Sequence, residues 1–196
     1  MRRSSASHRK VGAATPLGAT VYAAASAAYT LALTDPTVVR DHRVYNPGDW
    51  RFGGARIDRD VRYLGGPENG SAGLVLRAQD PPAGADDSRA SYTVYPGARG
   101  TVAVYAARPG GGQVLLPITT NAAVNRGTAT NHLAVESRGN QLVVVVNGAI
   151  VARVTGQLAA PGALGVTVVG PPGGGDAPAA SAAFAHLLVT DLEVSR

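Results

Sequence analysis

The chain has 196 residues, of which 45% are hydrophobic but only 5% aromatic, with 25 glycines, 13 prolines and no cysteine. The lack of cysteine excludes a disulfide framework, a thiolate metal site and a cysteine nucleophile. Four cations, Arg2, Arg3, Arg9 and Lys10, lie in the first ten residues, and subtracting them from the net charge of +5 leaves +1 for the rest, so nucleic-acid binding by the body of the chain is not expected.

Residues 1–28 are basic at the start and rich in alanine afterwards. We interpret them as an N-terminal arm that contacts a partner through the four cations, followed by one β-sandwich domain over residues 29–196. The alternative is an export signal with Ala25-Ser26-Ala27 as its small-residue cleavage site. Pro16 and two threonines interrupt the apolar middle that a signal needs, so the arm is the preferred interpretation.

From residue 29 onward, short β-branched runs alternate with turns rich in Gly and Pro, a pattern typical of β-strands. The strand candidates in chain order are residues 29–34, 43–46, 50–64, 74–78, 91–96, 101–109, 112–119, 131–137, 140–146, 149–155, 162–169 and 182–194. Hairpin-length turns between so many strands predict an all-β fold, an antiparallel two-sheet β-sandwich (jelly roll). No apolar run reaches the roughly 18 residues of a membrane helix.

The clearest local signal is Asn147-Gly148 between two apolar runs. A type I′ turn needs a positive φ at both central residues, and Asn-Gly meets that need better than any other common pair. The segment 140–154 is therefore predicted to be a β-hairpin. The continuous apolar run Val143–Val146 predicts a strand buried on both faces, with a self-association surface as the alternative.

The order of these pieces matches a known pattern. The segments AGLVLRAQD, NHLAVESRGNQLVVVVNGAIVARVT, GALGVTVVG and AAFAHLLVTDLEV follow one another in the chain. Together they resemble the concanavalin A-like lectin/glucanase superfamily, in particular bacterial laminin-G-like and 3-keto-disaccharide-hydrolase-like domains. The resemblance covers roughly residues 70–194 and implies the jelly-roll fold. It does not imply one activity, because such domains include enzymes, sugar binders and adhesion modules.

Catalytic patterns are weak in this sequence. Glucanases of this superfamily present Glu-x-Asp-x-x-Glu on one strand, and no such motif occurs here. Asp58 and Asp60 share a strand face, but the arginines around them favour ion pairing over general acid–base work. The histidines His132 and His186 each stand alone in the sequence, which gives a zinc site little support. The sequence therefore predicts a protein that is not an enzyme.

Two binding sites are candidates. A sugar site could use Tyr45, Trp50 and Arg51, because an aromatic face flanked by polar groups suits a pyranose ring, although Trp50 packed under a turn is the preferred interpretation. Asp80, Asp86 and Asp87 lie in one loop, and laminin-G-like domains bind calcium through aspartates of rim loops. A solvated acidic loop is the preferred reading, so no cofactor is expected, with Ca²⁺ as the alternative.

The sequence thus leaves three functional hypotheses. The preferred one is a non-catalytic module that assembles with other subunits, or with copies of itself, on a surface or particle. The second is a carbohydrate-binding or adhesion module of an exported bacterial protein, and the third is a glycoside-active enzyme of the same fold. An extracellular or particle-associated location is expected, and a cytoplasmic one stays open.

Overall fold

The structure, a computed structural model, describes residues 18–23, 28–33, 40–45, 51–80, 89–170 and 179–192, with side chains omitted at 18–23 and 40–42. Strands account for most of this part of the chain, and none of it is helical. The strands are β1 (Gly18–Ala23), β2 (Ala28–Leu33), β3 (Arg40–Tyr45), β4 (Ala55–Gly65), β5 (Ser71–Ala78), β6 (Ser91–Gly97), β7 (Thr101–Arg108), β8 (Gly111–Thr120), β9 (Asn131–Arg138), β10 (Gln141–Val146), β11 (Ala149–Thr155), β12 (Ala163–Gly170) and β13 (Ser181–Asp191).

These strands form two antiparallel sheets that pack face to face, so the predicted β-sandwich is confirmed. The seven-stranded sheet has the order β1-β2-β13-β4-β9-β10-β11, and the six-stranded sheet has the order β3-β12-β5-β6-β7-β8. The central strand β4 pairs with β13 on one side and β9 on the other. Side chains from three strands distant in sequence therefore meet on one face.

The core lies between the sheets and follows the alternation of each strand. In β4, Ile57 and Val61 are buried while Arg62 is exposed, and in β9 Leu133 and Val135 are fully buried. Successive side chains of a strand point to opposite faces, so one apolar face per strand is enough to fill the core. The other face of each sheet is then available for polar groups.

The hairpin at Asn147-Gly148 forms as predicted. Asn147 and Gly148 have φ values of 50° and 85°, which is the pair of positive angles that a type I′ turn requires. They join β10 to β11 in an antiparallel pair.

The valine run in β10 differs from its prediction. Val144 and Val146 are fully buried, whereas Val143 and Val145 are half-buried. The strand has one core face and one partly exposed face, because no further layer among the described residues covers the outer face of the seven-stranded sheet there.

Strand β1 lies inside the segment predicted as an arm. Gly18–Ala23 pairs with Ala28–Leu33 as the edge strand of the seven-stranded sheet. The cations Arg2, Arg3, Arg9 and Lys10, and the cleavage site at 25–27, lie outside the described residues. No helix in the described residues is long and apolar enough to cross a membrane.

Arg77 links three loops at one end of the sandwich by hydrogen bonds. It is buried at 2% exposure with a φ of 52°, and it donates hydrogen bonds to the carbonyls of Leu158 at 2.6 Å, Gly53 at 2.8 Å and Gly139. Burying a guanidinium is costly unless its donors are satisfied. Here the donors tie together three loops that follow different strands.

Candidate functional site

An open cleft of about 930 Å³ lies over the outer face of the six-stranded sheet, at the end opposite Arg77. Strands β5 to β8 supply its floor, and the loops after β4, β6 and β8 supply its walls. Its lining consists of Tyr63, Gly65, Gly66, Glu68, Asn69, Ser71, Tyr95, Ala98, Arg99, Thr101, Ala103, Ile118, Thr120, Arg126, Gly127 and Thr128. Most of these groups are small or polar.

The floor of the cleft follows from strand alternation. Val94 and Val102 point into the core, so Tyr95 and Thr101 point outward into the cleft. Tyr95 pairs across the strands with Ala103. The cross-strand neighbour of Tyr95 in the floor of the cleft is therefore a small residue.

The wall after β4 is shaped by glycine packed against tyrosine. A Cβ at Gly70 would lie 2.0 Å from the Tyr63 hydroxyl oxygen, a separation that no side chain can adopt. Tyr63 donates a hydrogen bond to the Pro67 carbonyl at 2.9 Å, and burial raises the pKa of its phenol to about 12. The tyrosine therefore stays protonated and holds the loop closed on itself.

Two arginines and one glutamate carry the charge of the cleft. Arg99 and Glu68 form an exposed ion pair of 3.2 Å across the rim. Arg126 lies along Gly100, where an added Cβ would be 2.9 Å from the Arg126 Cγ. The cleft thus combines an aromatic ring, hydroxyls, an amide and guanidinium donors.

A second group of polar side chains lies on the outer face of the seven-stranded sheet. We call it the β4 charge cluster, and it consists of Arg56, Asp58, Asp60, His132, Glu136 and His186. Asp58 and Asp60 are on β4, His132 is on β9, and His186 is on β13 at an irregularity in the strand pairing. His186 has a φ of 53°, a conformation uncommon for a residue other than glycine and often found at bulges.

The imidazole of His132 lies between the two aspartates. Its Nδ1 is 2.8 Å from Asp60 Oδ1 and its Nε2 is 3.3 Å from Asp58 Oδ1. An ionised carboxylate can only accept hydrogen bonds, so both contacts require both ring nitrogens to carry hydrogen. The arrangement therefore fits the imidazolium form of His132.

The remaining contacts surround this centre. Arg56 donates twice to Asp58, with both distances 2.9 Å, and once to Glu136 at 2.8 Å. His186 Nδ1 lies 2.7 Å from Asp60 Oδ2. Each aspartate oxygen of the cluster therefore faces a cationic or protonatable donor.

These contacts set the protonation states of the cluster. Burial alone would raise the pKa values of Asp58 and Asp60, but the hydrogen bonds and charges of Arg56, His132 and His186 outweigh it and lower both below the ordinary carboxyl range. The bond to Asp60, followed by that to Asp58, raises the pKa of His132 against the opposing effect of burial. The hydrogen bond to Asp58 raises the pKa of Arg56 as well.

The chemistry of the cluster follows from those states. A glycosidase needs one carboxyl whose pKa is raised so that it can donate a proton, and here both aspartates are held ionised. The predicted ion pairing of Asp58 is present. Two other flanking arginines do not pair with the aspartates in this way. Arg59 points inward and donates to the Phe184 carbonyl, and Arg62 donates to the Thr128 carbonyl.

Of the sugar-site residues predicted from the sequence, Tyr45 and Arg51 are connected through Arg89 and Asp80, away from the cleft. The ring of Tyr45 carries the Arg89 guanidinium 4.9 Å from its centroid and packs against Val75 and Ala163. Arg51 pairs with Asp80 at 2.8 Å, and Trp50 lies outside the described residues. The cleft lies elsewhere on the sheet.

The predicted calcium loop is described only at Asp80. Its two oxygens contact Arg51 and Arg89 at 2.8 and 3.4 Å, while Asp86 and Asp87 lie outside the described residues. Among the residues that the structure describes, no three His, Asp or Glu side chains are placed to hold a metal ion. Calcium binding stays a prediction.

Comparison with known proteins gives similarity at the level of structure. No protein-family model and no curated protein sequence matches the chain. The β-glucanase of Bacillus licheniformis has a TM-score of 0.62 at 13% identity, covering 90% of this chain and 87% of that one. A family 7 alginate lyase, A1-II′, has a TM-score of 0.61 at 11% identity, covering 92% of this chain and 85% of that one. The carbohydrate-binding module CBM66 of Bacillus subtilis has a TM-score of 0.56 at 13% identity, covering 92% of this chain and 91% of that one.

The fold is the concanavalin A-like jelly roll. The similarity confirms the jelly-roll fold that the resemblance in the sequence implied. The prediction that the chain is not an enzyme is wrong as an inference, because alginate lyases, a laminarinase and a β-glucanase share this fold. At such low identities the likeness shows the fold alone, and a missing glucanase motif does not separate the enzymes of this jelly roll from its binding modules.

The cleft and the cluster were both missed by sequence reasoning. His132 and His186 stand alone in the chain, and only the pairing of β9 and β13 with β4 brings them to the aspartates. The shared face of Asp58 and Asp60 was the one available signal. The cleft had a weaker signal in Gly65-Gly66 and Asn69-Gly70, which lie between the strand candidates 50–64 and 74–78.

Proposed function

We propose that the chain binds a carbohydrate polymer in the cleft over β5 to β8. The observation that carries the proposal is the composition of the cleft: an open groove of about 930 Å³ whose floor offers the Tyr95 ring and whose walls offer Asn69, Arg99 and Arg126. A sugar presents C–H groups on one ring face and hydroxyls around its edge. Aromatic rings with a few placed polar groups suit that pattern.

The fold supports the same proposal. A groove open at the surface accepts a chain that continues beyond the site, as a polymer does. One solved structure with this fold is a carbohydrate-binding module, and others are named for alginate or β-glucan. Both the fold and the composition of the cleft therefore support carbohydrate as the proposed ligand class.

The test is a titration of soluble alginate, laminarin and barley β-glucan by isothermal calorimetry, with new reducing ends measured in parallel to detect cleavage. Tyr95→Ala and Arg126→Ala are each expected to weaken binding about tenfold, which is ~1.4 kcal/mol. Arg138→Ala is the control, since Arg138 is the exposed last residue of β9, at the end of the strand away from the cleft. Binding that the cleft variants leave unchanged would place the sugar elsewhere.

Assembly through protein–protein contacts stays a prediction. Strand β8 is an edge of the six-stranded sheet and exposes Val114 at 59% and Ile118 at 74%. An apolar edge strand can pair with another chain. A surface or extracellular location likewise stays a prediction, and it agrees with a polysaccharide ligand.

A further inference from the structure

One wall of the cleft is the loop 121–130 between β8 and β9, which we call the cleft-wall loop. It contributes Arg126, Gly127 and Thr128 to the lining. The side chain of Asn131 holds it from below, accepting from the Asn125 backbone N–H at 2.8 Å and donating to the Asn125 carbonyl at 3.1 Å. The position of this wall therefore depends on the first residues of β9.

Asn147 of the β10–β11 turn holds the same loop from the side. Its side-chain amide donates to the Ala123 carbonyl at 2.7 Å and to Asn131 Oδ1 at 3.0 Å. Its side-chain oxygen accepts from the His132 backbone N–H at 2.8 Å, and its own N–H donates to the His132 carbonyl at 2.9 Å. A continuous set of hydrogen bonds thus runs from the loop to His132.

His132 is the residue at which this network meets the β4 charge cluster. Its backbone belongs to the network, while its imidazole bonds to Asp58 and Asp60. Strand β4 reaches the loop a second time through Arg62, which donates to the Thr128 carbonyl at 3.0 Å. The ring contacts of His132 therefore add a side-chain link to the backbone pairing between the start of β9 and β4, the strand that also supports the loop.

We propose that protonation of His132 holds the cleft-wall loop in place, so that the cleft binds its ligand more tightly in acidic than in alkaline solution. The proposal rests on the proposed function of the cleft and adds its regulation. A neutral imidazole carries one N–H. After deprotonation, one ring nitrogen presents a lone pair to a carboxylate, and one of the two bonds to β4 is lost.

The charges around His132 determine where this change occurs. The ring itself contacts Asp58 and Asp60 of β4. The other titratable or charged groups of the neighbouring strands are Arg56 and Arg62 on β4, Glu136 on β9 and His186 on β13, and the turn offers the uncharged Asn147. The two carboxylates in direct contact raise the pKa of His132 above 6.5. Both ring contacts of His132 are therefore present below pH 6.5, and one of them is lost as the pH rises through the folded-state pKa of His132.

The first arm of the test does not need a ligand. Amide hydrogen exchange of residues 121–130, corrected for intrinsic rates, is measured at about pH 5.5 and about pH 8.5. The wild type is expected to show protection factors several-fold higher at the lower pH. His132→Gln, which stays neutral, is expected to show low protection at both values. His186→Gln is the matched control, since His186 contacts Asp60 but not the loop network, and it should keep the pH dependence.

The second arm measures the affinity for the soluble polysaccharide that binds best among alginate, laminarin and barley β-glucan. The dissociation constant is expected to rise about threefold to tenfold between the two pH values in the wild type and to stay constant in His132→Gln. Loop protection or affinity that is independent of pH in the wild type overturns the proposal. Absence of binding by any polysaccharide, with pH-dependent loop protection intact, overturns the proposed function and leaves the protonation-dependent loop standing.

Discussion

At the residue scale, Asp58 shows how burial changes the contribution of an arginine–carboxylate ion pair to stability. Its side chain is 11% exposed and bonds twice to Arg56, whereas the Arg99–Glu68 pair has exposures of 64% and 84%. Solvent screens an exposed pair, but a buried carboxylate without its cation carries an uncompensated desolvation cost. The two pairs therefore form a natural comparison.

Arg56→Gln is expected to lower the free energy of unfolding by about 1 kcal/mol at neutral pH, since the exposed third of Arg56 reduces the effect. Arg99→Gln, the control, should cost less than about 0.5 kcal/mol. Because the folded-state pKa of Asp58 is lowered, its contribution is present above its unfolded value and is lost as the pH falls through the folded one. Urea unfolding at several pH values measures this, and wild type and Arg56→Gln should converge in acid. Equal losses for both variants at neutral pH would contradict the role of burial.

At the element scale, the β10–β11 hairpin was predicted for the correct reason but with an incomplete role. Asn-Gly was expected only for its backbone angles, and those angles are present. The Asn147 side chain also bonds to Ala123, Asn131 and His132. Contacts between a turn and a distant loop depend on strand register, which the turn residues do not encode.

Two substitutions in this turn separate its geometry from its contacts. Asn147→Gly keeps a residue that accepts positive φ but removes three hydrogen bonds, so we expect a loss of about 1–2 kcal/mol and faster exchange in residues 121–130. Gly148→Ala has open space for its Cβ, so only backbone strain of about 1 kcal/mol is expected. Urea unfolding and hydrogen exchange test both. If Gly148→Ala also speeded exchange in residues 121–130, the turn conformation, and not the Asn147 side-chain amide, would be what holds that loop in place.

For the whole molecule, the fold was predictable and the functional surfaces were not. Alternation in β4 and β9, together with turn residues such as Asn147-Gly148, indicated strands, faces and the sandwich. The register that aligns Asp60 with His132, and the irregularity that brings His186 to Asp60, depend on pairing between segments more than 70 residues apart. No local pattern carries that information, so the cluster could not be assembled from the sequence.

The N-terminal segment provides the last test, because it combines two predictions in one stretch of chain. Deleting residues 1–17 removes Arg2, Arg3, Arg9 and Lys10 but leaves β1. Deleting residues 1–27 removes β1 as well and exposes the edge of β2, which pairs with it over six residues. An unpaired edge loses hydrogen bonds and invites aggregation.

We therefore expect deletion of residues 1–17 to leave the free energy of unfolding within about 0.5 kcal/mol of wild type, and deletion of 1–27 to lower it by about 1–3 kcal/mol. Urea unfolding measures both, and equal stability of the two would show that β1 adds nothing to the sheet.

Light scattering of the same proteins tests the assembly arm. If the four cations join the chain to a neighbouring copy, the shorter deletion converts an oligomer into a monomer while the fold stays intact. An unchanged mass after that deletion would remove the arm from any such contact and leave the exposed edge of β8 as the surface to test.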